Sequence, residues 1–170
     1  MPLKPASTKA NNGFTLIEGL VVVAIISIVA AIAAPNLASW VVRSNISAIA
    51  NDRTAAIWFA RAEAASKRQS FSICASSNCG SATDWGNAVV VVQGSCSASP
   101  TVIRTFDSTY DGYTVTSSVK CLTYLPNGTT AAVGANIAIS HPSNTVDNPV
   151  NRVICISTIG RPTLKIGGTC

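Results

Sequence analysis

The most apolar part of the chain is one block near the N-terminus, residues 14–34, which reads FTLIEGLVVVAIISIVAAIAA and carries a single charge, Glu18. As a helix rising about 1.5 Å per residue, this block spans roughly 30 Å, the thickness of the hydrocarbon core of a bilayer. The preceding polar residues 1–13 contain Lys4 and Lys9 and no acid. Because positive charge before an apolar span stays in the cytoplasm, the pattern predicts one membrane span with the C-terminal part outside.

After Pro35 the apolar positions follow a helical stripe. Its members recur at spacings of three, four and seven residues, with Arg53 and Thr54 as interruptions; they are Ile46, Ile49, Ala50, Ile57, Ala60 and Ala64. A proline inside a helix removes one hydrogen bond and bends the axis, so the helix either ends at Pro35 or continues with a kink. The resumed stripe favours the kink. We therefore expect one kinked helix over residues 14–67, whose second half packs against the rest of the chain on one face.

From residue 70 onward, short apolar or alternating segments are separated by clusters of Gly, Ser, Asn and Pro. The segments that favour strands are 71–75, 88–92, 102–106, 113–117, 122–125, 136–139 and 150–157. The turn clusters lie at 76–84, 93–100, 126–128 and 141–149. The pattern predicts a single antiparallel β head over residues 70–170, and hence an α+β fold class with the long helix packed on the head.

The chain has 170 residues and six cysteines, a number that most simply forms three disulfides outside the cytoplasm, with 15 possible pairings. The spacing suggests Cys74–Cys79, which closes a short loop, Cys155–Cys170, which pins the C-terminal tail, and the remaining pair Cys96–Cys121. A zinc site is the competing interpretation. Since the chain lacks paired C-x₂-C spacings and has one histidine, we expect no metal site and no cofactor.

Glu18 poses an energetic question, because a carboxylate within a membrane helix costs about 2.5 kcal/mol or more. One interpretation is a glutamate that reaches the membrane interface and favours the helix dipole. The other is a charge partner, since two opposite charges in good geometry offset each other's desolvation.

Residues 13–36, GFTLIEGLVVVAIISIVAAIAAPN, resemble the class III signal of type IV pilins and type II secretion pseudopilins. The shared features are a glycine before the cut, an aromatic residue after it, a glutamate four residues further on, and then an apolar helix. The resemblance implies that prepilin peptidase cleaves between Gly13 and Phe14 and that Phe14 is N-methylated. It also implies that residues 1–13 are a leader peptide and that Glu18 pairs with the N-terminal amine of a neighbouring subunit. Other pilin subunits and the bacterial inner membrane would then be its partners, with the head in the periplasm.

Four short motifs narrow the resemblance to the GspH/FimT/FimU-like minor pilins and pseudopilins. They are ARAEA at 60–64, Cys74 with Cys79 followed by DWG at 84–86, YLPNG at 124–128 and GRP at 160–162. Each motif also has an interpretation without function, as a solvated helix face, a turn or core packing. The resemblance implies a pilin-like fold and a subunit that assembles into or primes a fibre. That fibre is either a type IV pilus, which we favour, or the pseudopilus of a type II secretion system.

The charge of the chain bears on a second function. Twelve Lys and Arg stand against seven acids, and loss of Lys4 and Lys9 leaves ten against seven, a mild positive bias. Three of the cations, Arg152, Arg161 and Lys165, follow the last acid in the chain. FimT-like minor pilins are associated with DNA capture in natural transformation, so the resemblance implies phosphate contacts by these three side chains. The usual GRxR pattern is incomplete here, because Thr163 stands at the second arginine position.

We expect no enzymatic activity. The sequence contains no phosphate-binding loop, no GxGxxG, no paired-carboxylate motif and no Ser/His/Asp arrangement. Its single histidine, His141, precedes Pro142 in a turn cluster, where a surface role is more common than a catalytic one.

Overall fold

The computed structural model describes residues 14–75, 79, 83–97, 100–107, 110–132, 134–142, 151–167 and 170, without the side chains at 35 and 36. Within these residues the elements are one helix, α1 (Leu16–Lys67), and eight strands: β1 (Phe71–Cys74), β2 (Val89–Gln93), β3 (Thr101–Phe106), β4 (Thr114–Ser117), β5 (Cys121–Tyr124), β6 (Asn136–Ser140), β7 (Arg152–Ile156) and β8 (Pro162–Ile166). The predicted leader, with Gly13, lies outside the described residues. The chain divides into a first unit that ends at Trp40 and a second unit, Val41–Cys170.

Helix α1 begins two residues later than expected, because Thr15 acts as its N-cap. The side-chain oxygen of Thr15 accepts a hydrogen bond from the backbone N–H of Glu18 at 3.3 Å. This satisfies one of the four N–H groups that a helix leaves without a partner at its start. The helix includes position 35, so it does not end at the proline. The kink at Pro35 stays a prediction.

In the first unit the helix is apolar and exposed. It contains a segment with a mean hydropathy of 2.7, long and apolar enough to cross a membrane, and none of that segment is buried within the chain. Apolar side chains without cover inside their own chain need lipid or other subunits around them.

The second unit contains two four-stranded antiparallel sheets. Sheet A has the strand order β3-β2-β1-β5, and sheet B has the order β4-β6-β7-β8. The core lies between these strands and the second half of α1. All six residues of the predicted apolar stripe are completely buried in it. The predicted antiparallel β head on a long helix is therefore confirmed.

Two details of the head differ from the sequence prediction. Residues 162–166 form a strand, β8, although no strand was expected there. Its first residue is Pro162, and a proline at the first position of an edge strand breaks no ladder hydrogen bond. Strand β1 is buried on both faces rather than on alternate residues. Phe71 and Ile73 belong to the main core, and Cys74 packs on the other face in a second buried cluster that includes Cys79 and Val90.

Candidate functional site

The N-terminal end of the helix is the first candidate site. Phe14 is 74% exposed, and the side chain of Glu18 is exposed in the first turn of α1. Within the part of the chain that the structure describes, no lysine or arginine forms an ion pair with Glu18.

Arg53 lies completely buried in the stripe of α1, where the sequence pattern had indicated only an interruption. Its Nε donates to the carbonyl oxygen of Trp85 at 2.9 Å. One Nη donates to the carbonyl oxygens of Gly86 and Asn87, at 3.3 and 2.7 Å. The other Nη pairs with Asp52. Burial lowers the pKa of Arg53, and the neighbouring carboxylate of Asp52 opposes that shift.

The loop that Arg53 holds joins the helix to β4 of sheet B and continues along the chain into β2 of sheet A. The backbone N–H of Trp85 donates to the carbonyl of Val115 in β4 at 2.7 Å, and Gly86 N–H donates to Asp84 Oδ1 at 2.8 Å. The indole of Trp85 is buried in the core. The DWG motif is thus a turn and a core anchor whose carbonyls are satisfied by a buried cation. A charged residue on an apolar helical stripe was the signal in the sequence for such a contact.

Three motifs that are far apart in the sequence meet at one point of the head. Arg61 of the ARAEA motif donates from Nε to the carbonyl oxygen of Gly128 at 2.9 Å. Tyr124 donates from its hydroxyl to the carbonyl oxygen of Gly160 at 2.9 Å. Gly160 packs so closely that an added Cβ would lie 2.7 Å from Tyr124 Cε1 and 2.9 Å from the Gly128 oxygen. Burial raises the pKa of the Tyr124 hydroxyl, so this group remains a donor.

The turn before β8 is fixed by this packing and carries Arg161. The N–H of Arg161 donates to Ser157 Oγ, and its carbonyl accepts from Ser157 N–H, both at 3.0 Å. The side chain of Arg161 is exposed. The GRP motif therefore presents a cation on a turn that is anchored to the core through its glycine.

The three cations of the C-terminal segment do not share one surface. Residues paired across a ladder point to the same face, and successive residues alternate. Lys165 pairs with Val153, while Arg152 pairs with Ile166, so Lys165 and Arg152 lie on opposite faces of sheet B. Ile154 of β7 belongs to the core, which places Arg152 on the core-side face and Lys165 on the outer face.

A groove of about 400 Å³ lies on this outer face. Lys165 contributes a cation to its lining, Ser157, Thr158 and Thr163 contribute hydroxyl groups, and the Cys155–Cys170 disulfide closes one side. The hydroxyl of Thr163 donates to the carbonyl oxygen of Cys155, which leaves Lys165 with the hydroxyl groups of Ser157 and Thr158, a combination that suits a phosphate oxygen.

The six cysteines are joined as Cys74–Cys79, Cys96–Cys121 and Cys155–Cys170, with Cα–Cα separations of 5.1, 6.3 and 5.6 Å. These separations lie in the range of ordinary disulfides. The sulfurs of Cys74, Cys96 and Cys121 lie within 4.8 Å of one another. Because each belongs to a disulfide, none is the thiolate that a bound metal needs.

His141 is half-buried and rests against the ring of Tyr113, with 4.7 Å between ring centroids. The hydroxyl of Tyr113 in turn accepts a hydrogen bond from Asn45 of the helix at 3.0 Å. These contacts give the histidine a packing role at the end of β6.

Comparisons with known proteins agree with this architecture. Residues 50–160 match the family described as type II transport protein GspH, and residues 8–34 match the prokaryotic N-terminal methylation motif. No curated protein sequence matches the chain.

Two solved structures show the likeness in three dimensions. The type IV minor pilin FimU of Pseudomonas aeruginosa is 28% identical, with a TM-score of 0.59 over 75% of this chain and 96% of that one. The minor pseudopilin EpsH from the type 2 secretion system of Vibrio cholerae is 12% identical, with a TM-score of 0.51 over 72% of this chain and 98% of that one, and shows the shared fold. The matched segment covers most of the head, and the methylation motif precedes it at the start of the apolar helix. The chain therefore belongs to the GspH family of minor pilins and pseudopilins.

Proposed function

We propose that this chain is a minor pilin that assembles into or primes a type IV pilus from the bacterial inner membrane. The observation that carries this function is the uncovered apolar half of α1, where Leu16 is 87% and Ile32 is 67% exposed. Such a helix is soluble in lipid before assembly, and in a fibre it packs against the equivalent helices of other subunits. The head stays in the periplasm before assembly, because the basic leader keeps the N-terminus in the cytoplasm.

The first residues of the motif determine how the chain matures and how adjacent subunits align in the fibre. Prepilin peptidase cuts between Gly13 and Phe14, and the new N-terminal amine of Phe14 is methylated. The carboxylate of Glu18 then pairs with the amine of an adjacent subunit, which offsets the cost of holding both charges in an apolar environment. The exposed first turn of α1 and the matched methylation motif support this assignment.

We favour the pilus over the secretion pseudopilus because the similarity to FimU reaches 28% identity, whereas the similarity to EpsH, at 12%, is one of fold. Deletion of the gene distinguishes a role in the type IV pilus from a role in the secretion pseudopilus. Loss of surface pili with unchanged secretion of exoproteins supports the pilus. The reverse result assigns the chain to the type II secretion system.

Glu18→Ala is expected to lower the amount of this chain in sheared fibres about tenfold, because the neighbour's amine loses its counter-charge in an apolar site. Insertion into the membrane should be unchanged. The measurement compares the chain in sheared fibres with the chain in membranes, and intact mass should show a start at Phe14 in both fractions. Glu63→Ala, the same substitution in the head half of the helix, is the control. Equal incorporation of Glu18→Ala and parent would contradict the pairing.

DNA capture is a second candidate function, supported by the outer face of sheet B. Lys165 and the hydroxyl groups of Ser157, Thr158 and Thr163 line one groove, and Arg161 is exposed on the turn that leads into β8. Contacts of this kind hold phosphates and carry no sequence information, as capture of arbitrary DNA requires.

The double substitution Arg161→Ala and Lys165→Ala is expected to weaken DNA binding alike for all sequences. Loss of two phosphate contacts should flatten the slope of log affinity against log salt by about 2. Binding of labelled duplexes to the detergent-solubilised full-length chain is measured at several salt concentrations. Arg152→Ala, which removes a cation on the opposite face of the same sheet, is the matched control. A parent chain that binds no DNA at low salt, or a double variant that binds as the parent does, excludes this function.

A further inference from the structure

Two disulfides of the head are in direct contact. Sγ of Cys74, bonded to Cys79, lies 3.4 Å from Sγ of Cys121, which is bonded to Cys96. The contact follows from the sheet, because Cys74 and Cys121 are directly opposite each other on the antiparallel strands β1 and β5. A sulfur of one disulfide is thus already at the distance from which a thiolate attacks another.

The four sulfurs differ in access. Cys96 is exposed, Cys121 is half-buried, and Cys74 and Cys79 are buried. The hydroxyl oxygen of Thr123 lies 3.3 Å from Sγ of Cys96 and also hydrogen-bonds to Ser72. A thiol from solution therefore reaches Cys96 first, and the sulfur that leaves is that of Cys121, beside Cys74.

We propose that these four cysteines form an intramolecular thiol–disulfide exchange site, whose exchange is started by an extracytoplasmic thiol, either a small molecule or a protein cysteine. Its thiolate attacks Sγ of Cys96, the Cys96–Cys121 bond breaks, and Cys121 leaves as a thiolate. Cys121 then attacks Sγ of Cys74, forming Cys74–Cys121 and releasing Cys79 as a thiolate. Cys79 attacks the mixed disulfide at Cys96, forms Cys79–Cys96 and expels the original thiolate. The number of disulfides is unchanged, so the thiol acts as a catalyst.

The exchanged bond fits the sheet without a shift of its strands. Residues directly opposite in an antiparallel pair have Cα atoms about 4.5–5.5 Å apart, within the range that a disulfide spans. In the described pairing, the Cys74–Cys79 disulfide links one loop to β1, and the Cys96–Cys121 disulfide links another loop to β5. In the exchanged pairing, Cys74–Cys121 joins the two strands to each other. The site allows mispaired cysteines of the head to reach the described pairing while the core stays folded.

The first test uses Cys79→Ser in the full-length, membrane-extracted chain. This variant leaves Cys74 as a thiol beside the Cys96–Cys121 disulfide. If exchange occurs, Cys74 attacks Sγ of Cys121, the bond Cys74–Cys121 forms, and the exposed Cys96 becomes the free thiol. Alkylation of the native protein, followed by peptide mapping, is expected to find at least about ninefold more label on Cys96 than on Cys74, since thiol reactivity depends on access. The matched control is Cys170→Ser, which leaves a thiol at Cys155 in sheet B, where label should stay on Cys155. Label on Cys74 alone overturns the proposal.

The second test uses the parent chain, so it does not depend on the folding of a variant. The chain is incubated with a limiting amount of reduced glutathione, alkylated, and cut with trypsin and with a protease that cleaves before aspartate. These cuts give the peptides 69–83, 84–104 and 121–146. The first peptide carries both Cys74 and Cys79, the second carries Cys96, and the third carries Cys121. The described pairing links only the last two, whereas exchange links all three. Absence of the three-peptide species while the two-peptide species is being reduced contradicts exchange.

Discussion

Gly160→Ala is expected to destabilise the head by about 3 kcal/mol or more, a large part of the 5–15 kcal/mol that stabilises a typical domain. Gly160 has a φ of +76°, where a residue with a Cβ is strained by about 1–2 kcal/mol. The new Cβ would also lie 2.7 Å from Tyr124 Cε1 and 2.9 Å from the Gly128 oxygen. Overpacking of this kind adds about 1–3 kcal/mol, because the ring and the turn cannot both move.

Gly94→Ala separates the cost of backbone strain from the cost of overpacking. Gly94 has a φ of +88°, but its added Cβ would meet no atom within 4 Å. This control should therefore cost only the backbone strain, about 1–2 kcal/mol. Proteolysis of the full-length chain in increasing urea gives both free energies of unfolding. Equal losses for the two variants would show that the contacts of Gly160 with Tyr124 and Gly128 add nothing.

Arg53→Ala is expected to cost about 3–5 kcal/mol, as removal of one partner from a buried charged network does. The substitution leaves the carbonyl oxygens of Trp85 and Asn87 without their donor, and removes the partner of Asp52. It should also loosen the turn around Trp85, which joins the helix to β4 and continues into β2. Because Trp85 is buried, its fluorescence should shift to the red when the head unfolds, and this shift with the urea midpoint measures the loss.

Two further variants define the cause. Arg53→Lys keeps the positive charge, but an ammonium group lacks the planar guanidinium that donates to several carbonyls at once. This variant should therefore lose more than half as much stability as Arg53→Ala. Lys120→Ala removes an exposed cation from the turn before β5 and should change stability by no more than about 0.5 kcal/mol. An Arg53→Ala chain as stable as Lys120→Ala would show that the buried guanidinium is dispensable.

Both substitutions act on the packing of the second unit rather than on the apolar first half of α1. Gly160 fixes the turn that carries Arg161, and Arg53 satisfies the carbonyls of the DWG turn. These contacts therefore maintain the shape of the head. In the proposed function, assembly depends separately on the apolar helix and Glu18.

Local pattern alone predicted much of this protein. The apolar block and its lone glutamate indicated a membrane helix, and the spacing of three and four predicted the buried stripe that ends at Ala64. The short apolar or alternating segments predicted seven of the eight described strands. The cysteine spacing suggested the three pairs that the structure contains. These features depend on neighbours in the sequence or on simple periodicity, so they can be read without a structure.

Only the tertiary structure decided what depends on contacts between distant segments. In the sequence, Arg53 only interrupts an apolar stripe. In the folded head, its guanidinium donates hydrogen bonds to the carbonyl oxygens of residues 85–87. Strand β8 begins with a proline and exists because β7 offers it a free edge. The same pairing places Lys165 and Arg152 on opposite faces. The contact between Cys74 and Cys121 likewise arises from the register of β1 with β5, which no local pattern specifies, since pairing across 47 residues is set by the packing of the whole head.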